Sequence, residues 1–471
     1  MKTTVAAVLL AALPSVQGKS PDPNILVIVS DDQGYADAGF QGSREIPTPH
    51  LDSLAKSGVR CTNAYVTHPF CSPSRAAILT GRYQQRFGHE YNPVYDPLDA
   101  AEGLPLGERL LPQFLKEAGW KTGWVGKWHL GSSPDHVPWR RGFEETFGFI
   151  GGGHRYLGWQ PNERQYTLPL TRNGQPADVK GHLTTALGEE AAAFVRRNRG
   201  ARWFLYLAFN APHTPLEPAP ERLEKFAALE DPARRRYAAQ VSLMDDAVGA
   251  VNAALAETGQ APRTLVFFFS DNGGPVKANG SSNGPLRGQK GQLYEGGVRV
   301  PFVVSWPERL PAGAAFGAPV SSLDIFATAL AAARIPLPAD RRFDGVDLVP
   351  FLSGVNPAPP HARLFWRTGG GSAHAIREGP WKLVRLKDKP AELYDLGADP
   401  GETSDRAAAK PEIAGRLAEA LDAWDRELVA PAFPGSSVKN EDWGPGGANQ
   451  KGAAGGPKPG RKRPAGDDGK K

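Results

Sequence analysis

Two distant stretches of this sequence end in the same way. Asn24-Ile25-Leu26-Val27-Ile28-Val29-Ser30 and Thr264-Leu265-Val266-Phe267-Phe268-Phe269-Ser270 are continuous apolar runs of strand length, each closed by a serine. A half-exposed strand alternates apolar and polar residues, so an unbroken run needs cover on both faces. That is the condition of a central strand in a parallel sheet flanked by helices, and Trp203 to Asn210 has the same character. Beyond the serines come Asp31-Asp32 and Asp271-Asn272. Open α/β sheets hold their ligands outside the carboxyl ends of such strands. Adjacent carboxylates repel and raise each other's pKa unless a cation neutralises them. Either pair alone also reads as a turn with a helix cap. Two strands ending in the same chemistry favour one shared metal site, and oxygen-only donors suit Ca²⁺ or Mg²⁺ better than zinc.

A second stretch, Cys71-Ser72-Pro73-Ser74-Arg75-Ala76-Ala77-Ile78-Leu79-Thr80-Gly81-Arg82, reads as the start of a helix. Ser72 suits the N-cap, Pro73 the first helical position, and Gly81 the C-terminal stop. Cys71 is then expected just outside a helix N-terminus, where unpaired N–H groups favour negative charge. Arg75, four residues on, points back to the same spot. Sulfur, cation and helix terminus together describe an anion site; a buried or disulfide-bonded cysteine is the alternative.

At 471 residues, the chain accommodates one large domain with a smaller one attached. Met1 to Gly18 reads as a secretory leader, with Lys2, an apolar run from Val5 to Leu13, and a small-residue cleavage site. That run is too short to span a bilayer, so export without stable membrane insertion is expected. Cys61 and Cys71 are the only cysteines, and a bridge between them is not expected, because Val59 to Thr62 alternates like a half-buried strand. The net charge is +5, but Ser436 to Lys471 holds eight Lys/Arg and four Asp/Glu, so this Gly/Pro-rich tail supplies +4 of it. The body is near neutral, and no nucleic-acid motif accompanies the tail.

Between these landmarks, helices are expected from Pro49 to Ala55, Gly107 to Gly119, Tyr237 to Val251, from Asp324, and from Pro411 to Leu428. Lys121 to Val125 reads as a short strand feeding Gly126-Lys127-Trp128-His129-Leu130-Gly131. On extended backbone Lys127 and His129 share a face and can enter one site. Ala211-Pro212-His213-Thr214-Pro215 is a rigid loop carrying one histidine at a strand end. Short strand-like runs at His361–Trp366, Ala375–Arg377, Trp381–Val384 and Glu392–Leu396 predict a small antiparallel sheet.

The Cys-x-Pro-x-Arg…Leu-Thr-Gly-Arg stretch resembles the signature of the type I, formylglycine-dependent sulfatases of the alkaline phosphatase superfamily, which include arylsulfatases and N-acetylgalactosamine-6-sulfatases. Gly-Lys-Trp-His-Leu-Gly at 126–131 and the segment 283–301 carrying Lys290 resemble the same family. The resemblance runs from Asn24 to about Leu428. It implies an α/β fold: a large mixed, mostly parallel sheet flanked by helices, with a small C-terminal antiparallel sheet plus helix. The expected division is a leader at 1–18, a catalytic domain at 20–355, an α+β subdomain at 356–435, and a disordered basic tail at 436–471.

Carried over residue by residue, the resemblance places Asp31, Asp32, Asp271, Asn272 and the converted Cys71 on a metal, with Ca²⁺ favoured over Mg²⁺. A formylglycine-generating maturation enzyme is implied as a partner. One oxygen of the aldehyde hydrate attacks sulfur, while Arg75, Lys127 and Lys290 offset the charge of the ester. His213 and Lys290 are placed to protonate the leaving alcohol, and His129 to deprotonate the second hydroxyl. The expected substrate is a sulfated carbohydrate or aryl sulfate. Loops at Gln84–His89 and Gly151–Tyr156 are candidate sugar subsites, with Tyr156 and Trp159 as stacking rings; His89 and His154 are equally compatible with structural roles. The alternatives are a phosphodiesterase or phosphonate monoester hydrolase of the same superfamily, and a catalytically silent carbohydrate-binding protein with unconverted Cys71.

Overall fold

A computed structural model describes residues 22–161 and 166–434. The expected leader and the basic tail both lie outside the described residues. Sixteen strands are present among the described residues: β1 (Asn24–Ser30), β2 (Val59–Cys61), β3 (Ala64–Tyr65), β4 (Lys121–Lys127), β5 (Glu145–Phe149), β6 (Leu170–Arg172), β7 (Gln175–Ala177) and β8 (Trp203–Ala208), followed by β9 (Thr264–Ser270), β10 (Phe302–Ser305), β11 (Ala314–Phe316), β12 (Val320–Ser321), β13 (Arg363–Thr368), β14 (Ala373–Glu378), β15 (Trp381–Leu386) and β16 (Glu392–Asp395).

Ten of them form one sheet in the order β11-β2-β10-β9-β1-β8-β4-β5-β6-β7. Its centre, β9-β1-β8-β4-β5, is parallel throughout, while β10 and β6 flank that centre antiparallel. The unbroken apolar runs follow from this position. Along β1, Ile25, Val27 and Val29 enter the core on one face, and Leu26 and Ile28 enter the core on the other. Leu265, Phe267 and Phe269 divide from Val266 and Phe268 on β9 in the same way. Helices Cys71–Thr80, Leu111–Glu117 and Asp324–Ala332 supply the first layer. Helices Pro49–Lys56, Leu183–Arg197 and Pro232–Glu257 supply the second.

β13 to β16 form a separate antiparallel sheet in sequence order. Helix Pro411–Asp425 covers one face through Leu417, Leu421 and Trp424. The other face sets Leu364, Trp366 and Val384 against Tyr65, Leu293 and Val298 of the larger unit. The mixed sheet and its small companion are the architecture expected from the sequence.

Three local expectations are corrected. The helix foreseen over Gly107–Gly119 spans only Leu111–Glu117, because Leu110 is extended and Pro112 fixes the first turn. The strand expected across Val59–Thr62 ends at Cys61, and Ala64–Tyr65 is a second short strand that joins a different sheet. Cys71 lies inside its helix as the first residue, after extended Phe70 at the N-cap. Ser72 is not the cap, since its hydroxyl donates instead to the carbonyl of His129 at 2.6 Å. Gly81 ends the helix with φ 68°, as expected of a C-terminal glycine. Cys61 and Cys71 are both free.

Candidate active site

Strand register builds the site. Ser30 pairs with Ser270, Val29 with Ala208, and Ala208 with Gly126. The residues just past β1, β9 and β8, and the last residue of β4, therefore emerge at one level of the sheet. Asp31-Asp32, Asp271-Asn272, the His213 loop and Lys127 converge there. Helix Cys71–Thr80 aims its first turn at the same level. Gly126 permits the fit, because with φ 111° a Cβ on it would lie 1.9 Å from the Ala208 carbonyl oxygen.

Cys71 is 2% exposed, and its Sγ donates to Asp31 Oδ1 at 3.5 Å. Lys290 Nζ approaches the same sulfur at 3.4 Å and pairs with Asp32 Oδ1 at 2.6 Å. Lys127 Nζ pairs with Asp31 Oδ2 at 2.6 Å. Arg75 donates from Nε and Nη2 to Asp271 Oδ2 at 2.9 and 2.7 Å. Three carboxylates thus face three cations, nearly all without solvent contact. Unpaired buried charge is costly, and this arrangement pairs every member.

The charges perturb one another. Burial alone raises the Asp31 carboxyl, but Lys127, His213, Arg75 and Lys290 together hold it far below the usual carboxylate range. Burial, reinforced by the charge of Asp31, pushes Asp271 up to about 6. Burial and Asp31 also push the Cys71 thiol up to about 12. At neutral pH this sulfur is a protonated thiol, unlike the depressed thiolates of cysteine nucleophiles. His129 is driven well down by burial and by Lys127 and Arg75, so it is a neutral imidazole. Both its ring nitrogens lack partners among the described residues.

His213 donates from Nδ1 to the Thr214 carbonyl at 2.6 Å, which leaves Nε2 facing Asp32 Oδ2 at 3.6 Å. In the neutral ring that Nε2 carries no proton. The Lys290 ammonium, held well above its ordinary pKa by Asp32 against the opposing effect of burial, always carries one.

One ligand atom each from Asp31, Asp32, Cys71 and His213 lie within 4.8 Å of one another, a possible metal site. Asn272 supports it: its Nδ2 donates to Asp32 Oδ1 at 2.7 Å, while its buried Oδ1 has no partner. Buried carbonyl oxygens are rarely left unpaired, and this one sits among carboxylates, as an oxygen-binding cation requires. Asp271 stands at the edge, with Oδ2 on Arg75 and Oδ1 accepting the Asp32 N–H at 3.3 Å.

The structure therefore brings Asp31, Asp32, Cys71, Arg75, Lys127, His129, His213, Asp271, Asn272 and Lys290 into one cluster, with two corrections of geometry around it. Lys127 and His129 do not share an extended face, because His129 is left-handed at φ 61°. The foreseen sugar loops are largely framework. Gln85 donates to the Arg367 carbonyl, Arg86 pairs with Asp344, and both nitrogens of His154 meet backbone carbonyls. His89 holds Ser72 at 2.7 Å. Tyr156 is fully buried, stacked on His182, and its hydroxyl meets the carbonyls of Asn210 and His213. It braces the His213 loop and offers no face to a ligand. Tyr166, whose ring stacks on His213 at 6.4 Å, was not singled out from the sequence, because no periodic element or motif surrounds it.

Comparison with known proteins shows the family of the chain. Residues 23–335 match the family described as Sulfatase, and residues 289–426 match the C-terminal region of N-sulphoglucosamine sulphohydrolase. The N-acetylgalactosamine-6-sulfatase of Homo sapiens is 34% identical over 92% of this chain and 92% of its own length. The steryl-sulfatase of Mus musculus is 33% identical over 90% of this chain and 84% of its own. The crystal structure of Ps i-CgsB in complex with k-i-k-neocarrahexaose superposes with a TM-score of 0.83 at 36% identity, covering 88% of this chain and 94% of that one. The strand-end carboxylates, paired cations and helix-start cysteine thus lie in a chain that belongs to the sulfatase family and is a sulfuric ester hydrolase.

Proposed function

We propose that the chain is an exported sulfatase that removes sulfate from carbohydrate monoesters, using Cys71 after its conversion to formylglycine, and Ca²⁺ rather than Mg²⁺. The observation that carries this reading is the setting of Cys71 Sγ, between the Asp31 carboxylate and the Lys290 ammonium at the start of a helix. A protonated, buried thiol has little use there as a nucleophile, whereas an oxygen in its place meets anchored positive charge. The carbohydrate half of the reading draws support from relatives named for sulfated sugars and from a neighbour bound to a neocarrahexaose.

Asp31, Asp32, Asn272 and, at the edge, Asp271 would hold the cation, which lowers the charge barrier to an anionic ester and polarises the sulfate oxygens. Formylglycine supplies a hydrated aldehyde, with one oxygen for sulfur and a second hydroxyl for release. This chain's own residues do the rest. Lys127 and Arg75 hold fixed positive charge below the site and keep Asp31 ionised. Lys290 presents a proton at Nζ to the departing alcohol; His213 does so from Nε2 only as imidazolium. His129, a neutral imidazole whose ring nitrogens have no partner among the described residues, is available to accept a proton.

Turnover of a panel of sulfated sugars, run beside para-nitrophenyl sulfate and para-nitrophenyl phosphate, tests the reading. Desulfation of at least one sugar, with sulfate preferred over phosphate, is expected. A strong phosphate preference reassigns the chain to phosphate or phosphonate esters. Binding without turnover, with an intact thiol at Cys71 by peptide mass, makes it a silent binding protein. Recovery of the full unprocessed N-terminus from an expressing cell overturns export.

A further inference from the structure

Beside the charged cluster stands an aromatic side chain that the chemistry above does not use. Tyr166 is 39% exposed, while its ring stacks on the His213 imidazole with centroids 6.4 Å apart and planes inclined at 30°. Its place is fixed from behind. The Arg155 N–H donates to the Tyr166 carbonyl at 3.0 Å. Arg155 is paired with Glu217, whose Oε2 also takes the Tyr156 N–H at 2.9 Å. Gly153 backs the ring so closely that a Cβ there would lie 2.4 Å from Tyr166 Cε1. Lys290, Lys127, Cys71 and Asp32 all act on its phenol electrostatically. One edge of the side chain therefore looks into the charged cluster, and the outer part looks to solvent.

The ring is held at its backbone beside the charged cluster, so its exposed part presents a flat apolar face at the rim of the site. Lys290 and His213 mark the side of the cluster from which the alcohol leaves, and Tyr166 lies on that side. A pyranose offers a face of C–H groups that packs on an aromatic ring, with hydroxyls at its rim for the phenol.

Resting on the sulfatase reading above, we propose that Tyr166 is a specificity-determining residue: its ring forms one wall of the subsite for the alcohol half of the ester and takes a sugar ring against its exposed face. His213 then has two neighbours of different kinds, metal-site carboxylate on one side and sugar-bearing aromatic on the other.

The test compares wild type, Tyr166→Ala and Tyr166→Phe on three probes: galactose, N-acetylgalactosamine and N-acetylglucosamine monosulfates as one panel, para-nitrophenyl sulfate, and propyl sulfate. Calorimetric binding of the sugar panel to Cys71→Ala, with and without Tyr166→Ala, is measured in parallel. For a sugar that wild type desulfates, Tyr166→Ala is expected to raise KM about tenfold, with kcat within about threefold and propyl sulfate unaffected. Tyr166→Phe keeps most of the affinity. The aryl probe separates a general aromatic shelf, where it suffers like the sugars, from a sugar-fitted one, where it suffers less; both keep the wall. An equal loss on all three probes shows a merely structural brace for His213 and overturns the proposal, as does a sugar KM that Tyr166→Ala leaves unchanged. If wild type turns over no sulfate ester, the sulfatase reading fails on its own. The binding arm then decides the wall: Tyr166-dependent affinity upholds it, and absent or Tyr166-independent affinity overturns it.

Discussion

At the scale of single residues, Cys71 combines a reactive atom with an environment that silences it. Its thiol is pushed up to about 12 by burial and by Asp31, so neither a thiolate nucleophile nor a redox role fits its surroundings. Cys71→Ser retains the volume and a hydrogen for Asp31, but it carries one oxygen and no second hydroxyl on that carbon. Turnover of para-nitrophenyl sulfate is expected to fall at least ~1,000-fold while urea stability stays within about 1 kcal/mol of wild type. Activity near wild type in that variant would sink the assigned nucleophile. Asn272 supports a second prediction. Its unpartnered buried Oδ1 is explained by a cation, so adding Ca²⁺ to chelator-treated protein should raise Tm. The stabilisation corresponds to about 2.7 kcal/mol once Ca²⁺ exceeds its Kd a hundredfold. Asn272→Ala should shift that titration to higher Ca²⁺. A wild-type Tm indifferent to Ca²⁺ but responsive to Mg²⁺ would change the ion.

At the scale of elements, what was legible in the sequence is what depends on burial alone. β1 and β9 announce themselves because both faces of each are covered, so nothing polar interrupts them. The acidic strand ends follow from the same two segments. What was not legible is what tertiary partners decide. His129 leaves the extended line because the chain turns left-handed just after β4, and Ser72 forgoes its cap for the His129 carbonyl. Tyr156 read as a loop aromatic, yet it is buried because the backbone carbonyls of Asn210 and His213 need its hydroxyl. β4 illustrates the cost of such fits. Gly126 stands at φ 111° against the Ala208 carbonyl, where neither partner is a flexible side chain. Gly126→Ala must therefore part β4 from β8 and displace Lys127. A loss of about 3 kcal/mol or more in urea unfolding is expected, together with loss of turnover. A change under about 0.5 kcal/mol would show that the strand pair yields where the structure says it cannot.

At the scale of the whole molecule, the small C-terminal sheet reaches the site through a buried charged seam. Lys382 on β15 is wholly buried and pairs with Glu295 and Glu402, each at 2.9 Å. Glu295 opens the short helix Glu295–Val298, and behind it the Gly273 N–H donates to the Gly297 carbonyl at 3.0 Å. The seam thus braces the turn that carries Asp271 and Asn272. Two carboxylates share one ammonium, and Glu295 also has Arg299 at 3.3 Å and the Tyr65 hydroxyl at 2.7 Å. Glu295 is therefore held down against its burial by Lys382 and Arg299, whereas burial and the charge of Glu295 push Glu402 up to about 7. The sign follows from the direction. A carboxyl whose folded pKa lies above its ordinary 4.5 binds its proton more tightly when folded. Its contribution is complete below about 4.5 and is lost as pH rises through about 7, by an amount on the order of 3 kcal/mol at most. Glu402→Gln fixes the neutral state. Its stability relative to wild type, from urea unfolding, should improve steadily as the pH is raised through that window. A constant difference between the two proteins across the window would mean that Glu402 stays ionised. Lys382 would then serve both carboxylates equally, and the small sheet would brace the site without any dependence on protons.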